Sequence, residues 1–598
     1  MKPIREYLKE TKLITDGSFG TYFAEKYQTE EIPETANTAC ATRVAEIHKE
    51  YIAAGAKLIR TNTFASNAVS LGVSMEAVKE NICAAVRIAK EVVAESGQEI
   101  YIAGDIGPIP ADEELDEAKT EDAYFKLAKV FVEQGIDILT FETFSDMDRI
   151  LPAIKRIKNE YDVFVMVQFA MNQFGYSNSG LSAKKLLTDA SRCKEIDAIG
   201  FNCGVGPGHM EQIIKRAYVS TEKFLIALPN AGYPKRIRNR IRFDNTPGYF
   251  AQKVKDIAAG GTDIIGGCCG TRPIYIEKLA KEVDVSQQKK VREETEANSA
   301  EKKKEYHGFF AHEDGTPKMK KLIAVELAPP ADADDEKLLE AAHILQKANV
   351  DVLTFPDSPS GRTRIDSVLM AEKVRQETGL TVMPHICCRD KNAIAMRSLF
   401  LGAHINEIYN MLIITGDPVP TMIRPNVKSV FNFDSVGLMK IAQDMNEEVF
   451  KDRPISYGGA INQGRRNLDV EIGRVKKKMA AGAEFFLTQP VFCTEDADRI
   501  RQIKEETGAR ILCGIMPLIS RKNALFMKNE VAGVPVTDAV VERYPENGTK
   551  EEGEAVGIAI AKEMMEYTKD FVDGYYFSFP FNRVHMLQKI LADTETVV

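Results

Sequence analysis

Cys268 and Cys269 stand side by side in TDIIGGCCGT, residues 262–271, behind a short apolar run and among glycines. One peptide unit does not readily offer the Cα separation of an unstrained disulfide, so the pair reads as two free thiols. A third thiol, Cys203, ends another apolar run in GFNCG. Three thiolates suit a tetrahedral zinc with its fourth position open, the arrangement of a catalytic site. Such a set carries one net negative charge and still holds an incoming thiol as thiolate at neutral pH, where a free thiol of pKa about 8.5 is mostly protonated. Its electron-rich ligands leave that sulfur nucleophilic, which suits alkylation of a thiol better than generation of hydroxide. The competing reading makes these residues small buried hydrophobes, as free cysteines often are. A glycine-flanked pair with a third cysteine at a matching position favours the metal. Gly266, Gly267 and Gly270 would let the backbone bend so that both adjacent side chains point inward.

A second candidate is Glu326, set in the otherwise apolar LIAVELAPP. Burial there is costly without a partner and raises the carboxyl pKa toward that of a general acid; the alternative is a salt-bridged strand end. His385 in MPHICCRD and Asp417 in ITGDP also end apolar runs. Taken singly they read as packed or capping residues. Cys387 and Cys388 form another adjacent pair, but no third cysteine ends a neighbouring run with similar glycine flanks, so they read as packing.

These residues need a scaffold that gathers strand ends. The first half has eight short β-like runs: KLITDGSFG, KLIRTNTF, IYIAGDIGP, DILTFETF, VFVMVQFA, AIGFNCG, FLIALPNAG and DIIGGCCG. Helical spacing separates them, as in TRVAEIHKEYIAAGA and DAYFKLAKVFVEQGI. The second half has eight more: LIAVELAPP, DVLTFPDSP, TVMPHICCRD, YNMLIITGDP, PISYGGAINQ, EFFLTQPVF, ARILCGIMPLIS and GYYFSFPFNR. Eight βα units per half predict an α/β fold of two tandem (β/α)8 TIM barrels, whose chemistry lies at the C-terminal ends of the strands. A doubly wound sheet is the rival, but no G-x-G-x-x-G fingerprint follows any run. Strands six and eight of a barrel are separated by one strand, so Cys203 can meet Cys268 and Cys269. Residues 284–320 lack apolar periodicity and are rich in Lys, Glu and Gln, which reads as a charged linker between domains 1–283 and 321–598.

The 598-residue chain has a net charge of −9 and 44% hydrophobic residues. These values argue for a soluble protein of several cores and against a nucleic-acid binder. No signal peptide or membrane span is evident, so cytoplasmic location is the expectation. Ten cysteines in so long a chain do not make a disulfide scaffold. Self-association is left open.

DGSFGT, TNTFASN, FETF, GFNC, PNAG and GGCCGT, in this order over residues 1–285, resemble the homocysteine S-methyltransferase family. The resemblance implies Zn2+ held by Cys203, Cys268 and Cys269 and homocysteine thiolate attacking a methyl donor in line. It further implies that Asp16 and Glu142 hold the substrate's ammonium group, with Asn62 and Asn202 shaping the mouth. The family's usual GSIGP reads GDIGP here, placing an extra carboxylate at Asp105. VELAPP, LTFPDSP, MPHICCRDKN, ITGDP, KMAAGAEFFLTQPVF and GIMPL, over residues 320–585, resemble methylenetetrahydrofolate reductase. That family implies FAD at the barrel mouth, NAD(P)H as reductant and methylenetetrahydrofolate as acceptor. By position, Glu326 is the acid that helps open the folate's methylene bridge, and Asp417 lies beside flavin and pterin. Thr354, His385 and Lys478 match flavin-contacting positions, and Gln489 matches a folate-binding one. The last run, YYFSFPFNR, departs from the bacterial reductases, leaving the roles of Phe577 to Asn582 open.

The pairing resembles the bifunctional methyltransferase/reductase proteins of bacteria. An S-methylmethionine-like sulfonium is the chemically easier methyl donor, because the N5-methyl of methyltetrahydrofolate has a poor amine leaving group and the chain has no D-x-H-x-x-G cobalamin signature; delivery of the methyl by an external cobalamin module is the alternative. One rival reading is a flavin reductase barrel joined to a non-catalytic zinc-held scaffold or partner-binding barrel. Another is a Schiff-base lyase, which the absence of a lysine at any first-half strand end disfavours.

Overall fold

A computed structural model describes residues 1–110, 117–237, 240–243, 246–285, 308–312, 316, 318, 320–348, 350–419, 427–531 and 534–592. The chain divides into two compact units, Met1–Ser299 and Ala300–Val598.

In the first unit each of the eight runs becomes a parallel strand: β1 (Leu13–Ile14), β2 (Leu58–Arg60), β3 (Tyr101–Ile106), β4 (Ile138–Phe144), β5 (Phe164–Phe169), β6 (Ala198–Asn202), β7 (Phe224–Leu228) and β8 (Ile264–Ile265). β1 pairs with β8 and the order runs from β8 back through β7 to β2, with a Thr15–Leu58 bridge between the outer strands. Near-continuous apolar sequence follows from burial on both faces, since β5 is buried at every position. The helices carry the complementary face. In α1 (Met75–Ser96), Val78, Ile82, Ala85, Ala89 and Val92 are buried, Ser74 caps the start by accepting from the Ala77 amide, and Gly97 ends it at φ +61°. The barrel floor is closed by Ile4 and Leu8 of the N-terminal helix packing with Leu13, Leu58, Tyr101, Phe164 and Ile264. Each such aliphatic side chain contributes about 1.5–3 kcal/mol by leaving water.

The second unit is a closed barrel of β9 (Leu322–Glu326), β10 (Val352–Phe355), β11 (Val382–Cys387), β12 (Asn410–Ile414), β13 (Ser456–Ile461), β14 (Phe485–Pro490), β15 (Ile511–Ile515) and β16 (Gly574–Ser578). Its floor is filled from outside the expected domain. Phe309 and Phe310, read in the sequence as part of the charged linker, are buried against Phe485, Leu322, Met383 and Leu512. Two aromatic rings in a polar stretch leave no periodic signal, which is why the pattern missed them. Residues 286–307 of that stretch lie outside the described residues. Among the described residues no helix is long and apolar enough to cross a membrane.

Candidate active sites

The three thiols of the first barrel converge. Ligand atoms of Cys203, Cys268 and Cys269 all lie within 4.8 Å of one another, and the Cys203 and Cys269 sulfurs are 3.6 Å apart. A tetrahedral centre with Zn–S bonds of about 2.3 Å sets its sulfurs about 3.8 Å apart, so the trio fits zinc. The backbone is drawn tight to achieve this. Cys203 takes φ +57°, a left-handed conformation costly for a residue with a side chain. Gly270 is left-handed too (φ +79°), whereas Gly267 serves closeness rather than bending: a Cβ there would stand 2.4 Å from the Thr271 hydroxyl. Asn202 donates to the Cys268 sulfur across 3.8 Å, and its amide also joins Thr143. The thiols of Cys268 and Cys269 pull the Cys203 pKa down to about 3, while hydrogen bonding to Cys203 and burial raise both Cys268 and Cys269, the latter to about 12. One thiolate is thus already favoured among three sulfurs.

Asp16 and Glu142 flank the trio, but a residue the motifs passed over stands between them. Arg60, at the end of β2 and 6% exposed, gives Asp16 its backbone amide (2.9 Å) and Nε (2.8 Å) and gives Glu142 its Nη1 (2.7 Å). Its Nη2 reaches the carbonyls of Gly17 (2.7 Å) and Gly267 (3.0 Å), tying β1 to the loop that carries Cys268. The signal was a lone cation ending an apolar run in KLIRTNTF. Asn62 lies in a buried net with Asn37, which also reaches Asn81, and thereby shapes the wall. A cavity of about 1260 Å³ is lined by Asp16, Arg60, Asn62, Asp105, Glu142 and the three cysteines.

In the second barrel, Glu326 is half-buried at the end of β9, in register with Thr354 and Ser578. Tyr576 and Ser578 (3.0 Å) donate to its two oxygens. Burial nevertheless lifts its carboxyl above the ordinary range, the direction an acid needs. Thr354 is the register partner of Glu326, and its hydroxyl lies 3.2 Å from His385 Nε2. Hydrogen bonds thus pair Glu326 with Tyr576 and Thr354 with His385, on four strands in all. Burial drives the His385 pKa down to about 3, so the ring is neutral. Tyr576 was legible only through period-two alternation, which sends Tyr576 and Ser578 inward and Tyr575 and Phe577 outward.

Other expected residues stand apart from these pairs. Asp417 is exposed on the loop after β12, its carboxylate accepting from the Ser360 amide (2.6 Å). Lys478 lies on α2 (Leu468–Ala480) and donates to the Ala460 carbonyl (2.6 Å). Gln489 is the next-to-last residue of β14, its carbonyl accepting from Gln463 (2.9 Å). Cys388 is buried, as expected of a packing residue. Cys387 is buried too, but its sulfur shares a cluster with Asp357 and Asp390, where Arg389 and Lys391 supply the positive charge.

Residues 13–283 match the family model of homocysteine S-methyltransferase, and residues 312–593 that of methylenetetrahydrofolate reductase. Crystal structures of the homocysteine methyltransferase MmuM from Escherichia coli, in apo, metallated and oxidized forms, align at 17–18% identity. Each alignment covers 47% of this chain and 99% of the other, with TM-scores of 0.39–0.40. Strand ends bearing a thiol trio in one barrel and an elevated carboxyl in the other therefore belong to a bifunctional one-carbon enzyme, a homocysteine S-methyltransferase domain followed by a methylenetetrahydrofolate reductase domain.

Proposed function

We propose that the first barrel methylates homocysteine with zinc held by Cys203, Cys268 and Cys269, and that the second reduces methylenetetrahydrofolate to methyltetrahydrofolate using FAD and NAD(P)H. The clustering of three thiols within 4.8 Å at the barrel mouth carries the first assignment. Zinc bound there supplies a Lewis acid that favours thiolate over thiol. Glu142, with one oxygen committed to Arg60, keeps the other for the substrate's ammonium, while Asp16 orients Arg60 and through it the loop before Cys268. The donor is a sulfonium such as S-methylmethionine. Its S–CH3 bond breaks with the electron pair left on the departing sulfur, the homocysteine thiolate supplies the pair for the new bond, and the thiol proton has gone to solvent. Asp16, Glu34, Asp105 and Glu142 on the cavity wall, against Arg60, suit a cation better than an anionic folate.

In the second barrel, flavin supplies the hydride chemistry when bound. Thr354, His385 and Lys478 hold it, with Asp417 on the rim. Gln489 positions the folate, and Glu326 keeps a proton for the methylene-bridge nitrogen, with Tyr576 and Ser578 fixing its orientation.

The test is a panel of isotopically labelled methyl donors with mass analysis of the methionine formed, run on wild type and Cys268→Ala. The expected result is one zinc per first barrel, label transfer from the sulfonium, and loss of both in the variant with the reductase spared. Brisk turnover with methyltetrahydrofolate alone overturns the donor assignment; a metal-free active barrel overturns the site.

A further inference from the structure

The cavity wall contains a buried carboxylate, Asp105, with which no cation of the described residues forms an ion pair. Arg60 is the cation among the inner groups, and its donors go to Asp16, Glu142 and the carbonyls of Gly17 and Gly267. Asp105, at the end of β3, is 6% exposed, and its Oδ1 is buried without a hydrogen-bond partner. Burying an ionised carboxylate without a partner costs several kcal/mol, so such a group is retained where a ligand completes it or where it stays protonated. Beside it stands an aromatic ring left half in the open: Phe64 is 38% exposed and borders both the main cavity and a narrow recess shared with Asp105, Thr63 and Gly107. Backbone bonds hold the two together. The Thr63 hydroxyl donates to the Asp105 carbonyl (2.8 Å), and the Gly107 amide donates to the Phe64 carbonyl (3.0 Å). Gly107 is a condition of this arrangement, since a Cβ there would lie 2.5 Å from the Phe64 carbonyl oxygen and 2.7 Å from the ring.

A carboxylate lacking a cation next to an exposed aromatic face is a receptor for a compact, weakly hydrated cation, which gains from charge pairing and from the ring quadrupole together. The amino acid's ammonium has another place, at the free oxygen of Glu142. We infer that Asp105, backed by the ring of Phe64, receives the positively charged centre of the methyl donor and sets the donor specificity of the first barrel. The assignment rests on the reading of that barrel as a sulfonium-dependent methyltransferase. Burial and the neighbouring Glu142 charge lift the Asp105 carboxyl above its ordinary range, and a bound cation would favour its ionised form.

The experiment measures trimethylsulfonium binding to the zinc-loaded full chain by calorimetry, for wild type, Asp105→Asn, Asp105→Glu and Phe64→Leu, alongside steady-state kinetics with S-methylmethionine. Asp105→Asn should weaken trimethylsulfonium about tenfold or more and raise the donor KM to match, with zinc content retained and the homocysteine KM within about twofold of wild type. Asp105→Glu should restore part of the affinity, and Phe64→Leu should lose about threefold to tenfold. Equal binding by wild type and Asp105→Asn, no binding by wild type, or a rise confined to the homocysteine KM each overturns the inference. If no sulfonium donor supports turnover while trimethylsulfonium binds in an Asp105-dependent way, the donor reading fails and the cation site stands. Retained zinc in Asp105→Asn separates a lost charge from a lost fold.

Discussion

Replacing Arg60 with methionine removes one positive charge from the interior of the first barrel and leaves everything it held. Asp16 and Glu142 are 1% and 5% exposed, and both depend on the guanidinium for their counter-charge. Removing one partner of a buried ion pair costs about 3–5 kcal/mol, because the remaining charge stays desolvated. The carbonyls of Gly17 and Gly267 also lose their donor, at about 1–3 kcal/mol each if water does not replace it. A loss of at least about 4 kcal/mol is therefore expected, a large fraction of a domain stability of about 5–15 kcal/mol. The loss should depend on pH with a definite sign. In the variant the Asp16 carboxylate takes up a proton when buried more readily than when unfolded, as burial already lifts it in the native protein. The native state then binds the extra proton, so stability falls as pH rises above the unfolded value of about 4 and is regained on acidification toward pH 5. The slope is at most about 1.4 kcal/mol per pH unit for this carboxylate. Urea titration at pH 5, 6 and 7, followed by a first-barrel signal such as zinc release, provides the assay. A destabilisation below about 1 kcal/mol at pH 7, or one that stays constant with pH, would refute the account of Arg60 as the charge holding this site together.

The second barrel yields sharper kinetic expectations. Glu326→Gln should keep flavin reduction by NAD(P)H but lose about 10²–10⁴-fold in folate turnover, since a general acid contributes that much; stopped-flow measurement of the two half-reactions checks it. Tyr576→Phe removes a donor that favours the ionised form of Glu326, so the carboxyl pKa rises and the alkaline limb of the folate pH–rate profile should move to higher pH; a limb that stays put or moves down contradicts the role of the Tyr576–Glu326 hydrogen bond. Phe310→Ala should destabilise the second barrel by about 3–5 kcal/mol while the first unfolds as before, as read by two-stage denaturant melting.

Both barrels were legible in the chain because their signal is local and repeated. Each apolar run is buried on both faces and each intervening helix on one, so sixteen strands announced themselves by composition alone. Cys203, Cys268 and Cys269 were legible for a related reason: barrel closure fixes which strand ends are near one another, and the three thiols sit at two of them. Glu326 declared itself as a charge inside an apolar strand. The order of the strands by itself sets these side chains at the barrel mouths.

What only the tertiary structure decided is how those groups are paired. Asp16, Glu142 and Gly267 are far apart in sequence, and nothing in their spacing shows that one guanidinium serves all three, because hydrogen-bond satisfaction is a property of the assembled interior. The same holds for Tyr576 reaching Glu326 across 250 positions, for Phe309 and Phe310 leaving a charged stretch to fill a barrel floor, and for Asp105 standing without a partner. Periodicity records which face of an element turns inward; which buried charge is answered, and which is left for a ligand, depends on distances that exist only once the strands have closed.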